Sequence, residues 1–305
     1  MSSKPHYNHV NAHLIKKMNQ IILVVIVFTI QSCSPKIITN SLEDNSSSRI
    51  EFEYEPFAIF EADTIDRSNV TLLGQIEIKD SGLSLNCDYE TIKRLAKTES
   101  LKLGGNSFVI TEHKEPSSWS TCHRIKADVF QIENPRNYET EVIWNKNRKL
   151  EIEDFKGPTA KRPFTAGTSS SFRYRIEGRP AFPKKYKLFV ETYFDCYLSY
   201  FKHTVFDSHV LDHEQIHFDI SELYGRIFLD KVKNEAKDLN EFLAKQESIL
   251  NEIGREMQLK QDEYDSEVYA DRSLQSKWSD WIKEELKNYE VFSNKILIVK
   301  KENGQ

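Results

Sequence analysis

The chain has 305 residues, 39% of them hydrophobic and 29% charged, with a formal net charge of −5. That is long enough for two domains and has the composition of a globular protein. The absence of a basic field argues against nucleic acid as a partner, and ten Gly with nine Pro exclude a fibrous or repetitive chain.

The first 33 residues read as a targeting segment. Lys16-Lys17 precede a ten-residue run, Ile21 to Ile30, in which Thr29 alone is polar, and Ile30-Gln31-Ser32-Cys33 follows. A basic start, a short apolar core and small residues before a cut describe a secretory signal, and the run is short for a bilayer span. An uncleaved anchor is the alternative. Cys33 stands where a lipoprotein-type signal carries its acylated cysteine, so the expected localisation is the cell envelope, with a membrane partner through that lipid. Residues 34–50, rich in Ser and Asn, read as a flexible tether.

Residues 51–133 read as a small α+β unit in the order β-α-β-β. Val70 to Ile78 is a strand interrupted at Gly74, Tyr89 to Leu103 a helix stopped by Gly104-Gly105, and Ser107 to Glu112 and Arg124 to Ile132 alternate as strands. Cys87 and Cys122 are free to pair in an oxidising compartment. Cys196, in an aromatic run, is expected to be a buried and inert thiol. His113, Cys122 and His123 could together hold a metal, but a disulfide beside exposed histidines is the favoured reading.

Asn134 to Asn137 marks a boundary, and a second domain follows over 141–300. Ser171 to Ile176 and Lys185 to Asp195 alternate as strands. The pattern is helical from about Asp207 to about Tyr289, and Lys295 to Val299 closes the chain as a strand. Strands followed by helices suggest an α+β class. At the head of the helical part stands His213-Glu214-Gln215-Ile216-His217. On a helix, residues four apart share a face, so both imidazoles can grip one Zn²⁺ at ~2.0–2.1 Å. Glu214 can then act as general base on a water at the open position.

A third ligand is required. If the chain turns back near Asn240 into an antiparallel helix, both arms advance ~1.5 Å per residue. Residue 265 then lies level with residue 215. Asp265 lies at that level and Glu267 next to it, and both carboxylates are candidate ligands. Tyr264 is a candidate donor to a tetrahedral oxyanion, with a core tyrosine as the competing reading. Asp219 is a candidate to orient a ligand histidine through its free ring nitrogen. His209 is expected to be a first-turn surface residue.

Two resemblances add to these readings. Leu73-Gly74-Gln75-Ile76, Lys93 to Leu103, Gly104-Gly105-Asn106 and Ser120 to Ala127 are similar to small YbjQ-like or RcsF-like envelope modules. That implies a helix on a sheet and a sensing or docking role. From about Glu141 to Leu286, Trp144, Leu150, Asp154 to Gly157 and especially His213 to Tyr224 resemble the bacterial DUF922 family, grouped with the zincin-type metallopeptidases. The resemblance implies a zincin-like domain with a short sheet and long helices, a zinc cofactor, and hydrolysis of a protein or peptide substrate outside the cytoplasm. In the family pattern a downstream Tyr-Asp pair is followed by a Thr-x-His element, then a Gln and a Trp. Here Tyr264-Asp265, Gln275 and Trp278 match, which favours Asp265 as the third ligand with Glu267 the alternative, but Ala270 stands at the histidine position. The chain has therefore replaced that residue or lost it. If lost, the alternative function is a catalytically degenerate binding or structural lipoprotein.

Overall fold

The computed structural model describes residues 35–42, 56–61, 70–81, 87–117, 120, 122–177, 185–202 and 207–300. Residues 1–33, expected to be a targeting segment ending at Cys33, lie outside these. The fold class is α+β, with two larger sheets, a two-stranded ribbon and long helices. Among the described residues, no helix is long and apolar enough to cross a membrane.

The N-terminal module is a five-stranded sheet in the order β1-β3-β5-β4-β2. Its strands are β1 (Lys36–Ser41), β2 (Ala58–Phe60), β3 (Thr71–Lys79), β4 (Ser107–Lys114) and β5 (Arg124–Gln131). Pairing is antiparallel except for β2 on β4. Helix α1 (Tyr89–Lys102) lies on one face and buries Ile92 and Ala96 against Ile76, Ile78, Phe108 and Val129. Asp88 caps its start by accepting from the Thr91 amide at 2.9 Å. Its end turns through Gly104 at φ 80°, where a side chain would be strained. A disulfide joins Cys87, just before α1, to Cys122, just before β5.

Two sequence readings change here. Residues 36–41 are not tether: they pair with β3 over six residues. The segment's alternation is weak because it is an edge strand, with one side of its ladder open and mostly exposed side chains. Nor does Gly74 interrupt β3. A Cβ there would come within 2.4 Å of the Asn40 carbonyl oxygen, so glycine is what lets β1 close on β3, beside a register shift at Leu72/Gly74.

The second sheet is built on β9 (Lys185–Asp195). Strand β8 (Ser170–Glu177) runs along one edge; β6 (Glu141–Ile143) and β11 (Ile296–Lys300) share the other. Leu188, Val190, Thr192 and Phe194 alternate onto the buried face of β9. Against them lies α2 (Ser208–Glu235). Gly225 allows the close approach, since a Cβ would sit 3.1 Å from Thr192 Oγ1. Helix α3 (Leu239–Ala270) runs back antiparallel after a short turn, capped by Asp238 on the Glu241 amide at 2.9 Å. Helix α4 (Gln275–Asn288) covers the remaining side. Enclosed this way, α2 is buried almost continuously from His213 to Arg226. Burying Ile220, Leu223, Phe228 and similar side chains contributes ~1.5–3 kcal/mol each, which fixes the rotation of α2. A two-residue ribbon, β7 (Ala166–Gly167) with β10 (Tyr200–Phe201), lies beside the N-terminal half of α2.

Candidate metal centre

The N-terminal end of α2 is set by Asp207, which accepts from the His209 amide at 3.0 Å and from Arg272 at 2.7 Å. Two turns on, His213 and His217 point from one face of α2 toward α3. Their Nε2 atoms are 3.0 Å apart, and each is 3.0 Å from Asp265 Oδ1. Among the described residues these three form the one group of His, Cys, Asp or Glu side chains placed to hold a metal ion.

The ring nitrogens beyond the triangle decide its chemistry. His217 Nδ1–H donates to Gln261 Oε1, and Gln261 Nε2 donates back to the His217 carbonyl at 3.0 Å. That fixes the His217 proton on Nδ1 and turns the Nε2 lone pair toward Asp265. A lone pair facing a carboxylate oxygen at 3.0 Å is repulsive unless a cation or an added proton lies between them. The titration behaviour agrees. Burial opposes charge on His217, yet Asp265 and Glu214 raise its pKa. Burial would likewise raise Asp265, but His213 and His217, which donate to it once protonated, hold it well below the usual carboxylate range. The site therefore favours positive charge at its centre. Two imidazole nitrogens and one carboxylate oxygen are a donor set that zinc accepts. Their 3.0 Å spacing lies a few tenths of an ångström inside the ~3.3–3.6 Å edge of a tetrahedral shell whose ligands sit ~2.0–2.2 Å from the metal. The residues present fit the ion.

Glu214 lines the same cleft and is 4% exposed. Burial raises its pKa, and its Oε2 has no hydrogen-bond partner among the described residues. An orphaned carboxylate oxygen is costly in a folded core and is characteristic of a group held ready for a ligand or a proton. The cleft measures about 380 Å³ and is bordered by α2, α3 and the β7 segment.

Several expected roles move. Glu267 is not in the triangle. It accepts from Trp278 Nε1 at 2.9 Å, which holds it on the α4 side of α3. Asp219 does not reach either histidine ring: it accepts from Trp144 Nε1 at 2.7 Å and from Gln215 Nε2 at 2.8 Å. Two residues past His217 is ~200° around a helix, the opposite face; the same rotation pairs Asp219 with Gln215. Tyr264 is fully buried, its ring stacked on His213 at 4.6 Å between centroids, so it walls the site from below and cannot face a substrate. Burial and the neighbouring carboxylates raise its pKa strongly. Ala270 is the last residue of α3. His209 is half-buried in the first turn of α2, its Nε2 3.2 Å from the Arg272 carbonyl oxygen. Cys122 is committed to the disulfide, and His113 Nε2 meets His123 Nδ1 at 2.9 Å on the exposed end of the module.

Two cleft residues escaped the sequence reading. Gln261 lies four residues before Asp265, a helical spacing that could have flagged it once α3 was placed. Tyr269, four residues after Asp265, is 59% exposed beside His213, with ring centroids 5.7 Å apart. Burial, Asp265 and Glu214 push its phenol up to about 12, so it remains an O–H donor at neutral pH. No family model matches the chain, and no curated protein or solved structure matches it.

Proposed function

We propose that the chain is a zinc-dependent peptidase of the bacterial cell envelope. The observation that carries this reading is the convergence of His213, His217 and Asp265 on one point, with Glu214, whose buried Oε2 has no hydrogen-bond partner among the described residues, lining the same cleft. His213 and His217 Nε2 and Asp265 Oδ1 would hold the ion. When bound, zinc supplies Lewis acidity, which makes a water nucleophilic near neutral pH and polarises a carbonyl.

The remaining steps belong to the protein. Glu214 takes the proton from the attacking water, and its raised pKa makes it a competent acceptor that can return the proton to the leaving amine. Gln261 keeps His217 in the ligating tautomer. The Tyr269 hydroxyl donates to the oxyanion that develops as the carbonyl becomes tetrahedral. The Cys87–Cys122 disulfide supports an oxidising compartment, and with the signal-like segment ending at Cys33 it supports a lipid-anchored envelope protein. The alternative, a degenerate binding protein, rests on Ala270 at the histidine position of the family the chain resembles; Asp265 beside the two histidines supports the enzymatic reading over it.

The test is metal analysis of the natively purified full chain together with Glu214→Gln. We expect about one zinc per chain in both proteins, and at least a ~10²-fold loss of peptide hydrolysis in the variant. A chain that neither retains nor takes up zinc refutes the reading.

A further inference from the structure

The cleft is asymmetric along α3. Asp262, Asp265 and Tyr269 form one stripe, three and four residues apart, that borders it. Beyond Asp265, the Tyr269 ring stacks on Phe164 with centroids 5.6 Å apart and planes 12° from parallel, yet the two side chains remain 59% and 54% exposed. They come from different segments, the C-terminal turn of α3 and the loop before β7. The pair is therefore an assembled apolar wall that the protein itself leaves uncovered. On the other side of Asp265 the border is polar: Gln258 Nε2 donates to Asp262 Oδ1 at 2.8 Å. Among the described residues, those lining the cleft include Glu214, Asp262 and Asp265 but no Lys or Arg. Arg162 packs on the Tyr200 ring, 4.9 Å from its centroid, and is not among the lining residues.

We infer that this wall is a side-chain subsite, and that the substrate is an extended polypeptide with an aromatic or large aliphatic residue within two positions of the scissile bond and no acidic residue in the cleft. The inference rests on the peptidase reading. Four helical residues advance ~6 Å, from Asp265 to Tyr269. An extended peptide advances ~3.3 Å per residue, so the wall lies one or two residues from a carbonyl placed at the metal centre. An aromatic or branched side chain there covers Phe164 and Tyr269. Zinc would offset the formal charges of Glu214 and Asp265, but Asp262 remains, and no Lys or Arg among the described lining residues is there to pair with a substrate carboxylate.

The experiment uses the zinc-loaded full chain and decapeptides that differ at one central position, carrying Phe, Leu, Ala or Asp. Wild type is expected to cleave the Phe and Leu peptides with kcat/KM at least about tenfold above the Ala peptide, and the Asp peptide more slowly than Ala. Phe164→Ala should bring the Phe-to-Ala ratio to within about threefold. A wild-type ratio near one, or a ratio untouched by Phe164→Ala, overturns the inference while leaving peptidase activity standing. If no peptide is cleaved although zinc is bound, the peptidase reading fails. Equilibrium binding of the same peptides to zinc-loaded Glu214→Gln then decides the subsite. Preferential binding of Phe over Ala, lost in the double variant with Phe164→Ala, upholds it, and equal binding of all four refutes it.

Discussion

Replacing Gln261 by Ala isolates the part of the metal centre that touches no metal. The change removes the acceptor for His217 Nδ1–H and the donor to the His217 carbonyl. Without that acceptor, the tautomer with its proton on Nε2 competes, and a proton then occupies the position a cation must take. Residues that orient a ligand histidine are typically worth ~10–100-fold in metal affinity, or about 1.4–2.7 kcal/mol. Zinc affinity of Gln261→Ala should fall by that factor in competition against a colorimetric chelator at pH 7.5. Gln261→Glu, which keeps an acceptor for Nδ1–H, should stay within a few-fold of wild type. The metal-free protein supplies an independent arm. There the Nδ1–H of a nearly buried histidine loses its partner, at a cost of ~1–3 kcal/mol, visible as a lower midpoint in denaturant. A Gln261→Ala protein with wild-type zinc affinity and wild-type stability would show that His217 is not oriented this way.

Three other outcomes follow from the geometry. Tyr269→Phe keeps the aromatic wall but removes the hydroxyl; kcat should drop by ~10²-fold with zinc content and the Phe-to-Ala ratio unchanged, and an unaltered kcat would remove Tyr269 from the chemistry. Burial pushes the Cys196 thiol up to about 12, so the native protein should resist alkylation at pH 8 and label fully in denaturant; rapid native labelling would contradict the burial. By linkage, a thiol protonated in the fold and ionised in the unfolded chain makes stability decline as pH rises above ~8.5. Cys87→Ser with Cys122→Ser opens a loop of sequence separation 35, which should lower the stability of the N-terminal module by about 4 kcal/mol in non-reducing denaturant titrations.

The parts of the fold legible in the sequence were those where one face is buried against one partner. The strand of Lys185–Asp195 and the two long helices announce themselves by period, and the turn at Asp238 by its capping residue. The level pairing of the helices follows from rise per residue, which is why Asp265 could be placed opposite the pentad. What stayed hidden depended on tertiary contacts. Periodicity does not show that Trp278 draws Glu267 away, that Trp144 and Gln215 claim Asp219, or that Tyr264 lies beneath His213 rather than above it. The edge strand Lys36–Ser41 was hidden for a related reason. Its order comes from a ladder with a strand more than thirty residues later, and its exposed side chains leave no apolar signature.

That edge strand also sets a length. Lys36 is already paired with Lys79, and only Ser34 and Pro35 separate it from Cys33. A fully extended chain spans at most ~3.3–3.6 Å per residue, so a lipid on Cys33 would hold the sheet within about 10 Å of its own attachment point. The protein would then sit on the bilayer like a fixture rather than sweep out a volume on a leash. Lengthening the stretch between Cys33 and Lys36 would turn that fixture back into a leash and let the N-terminal sheet stand off from its attachment point.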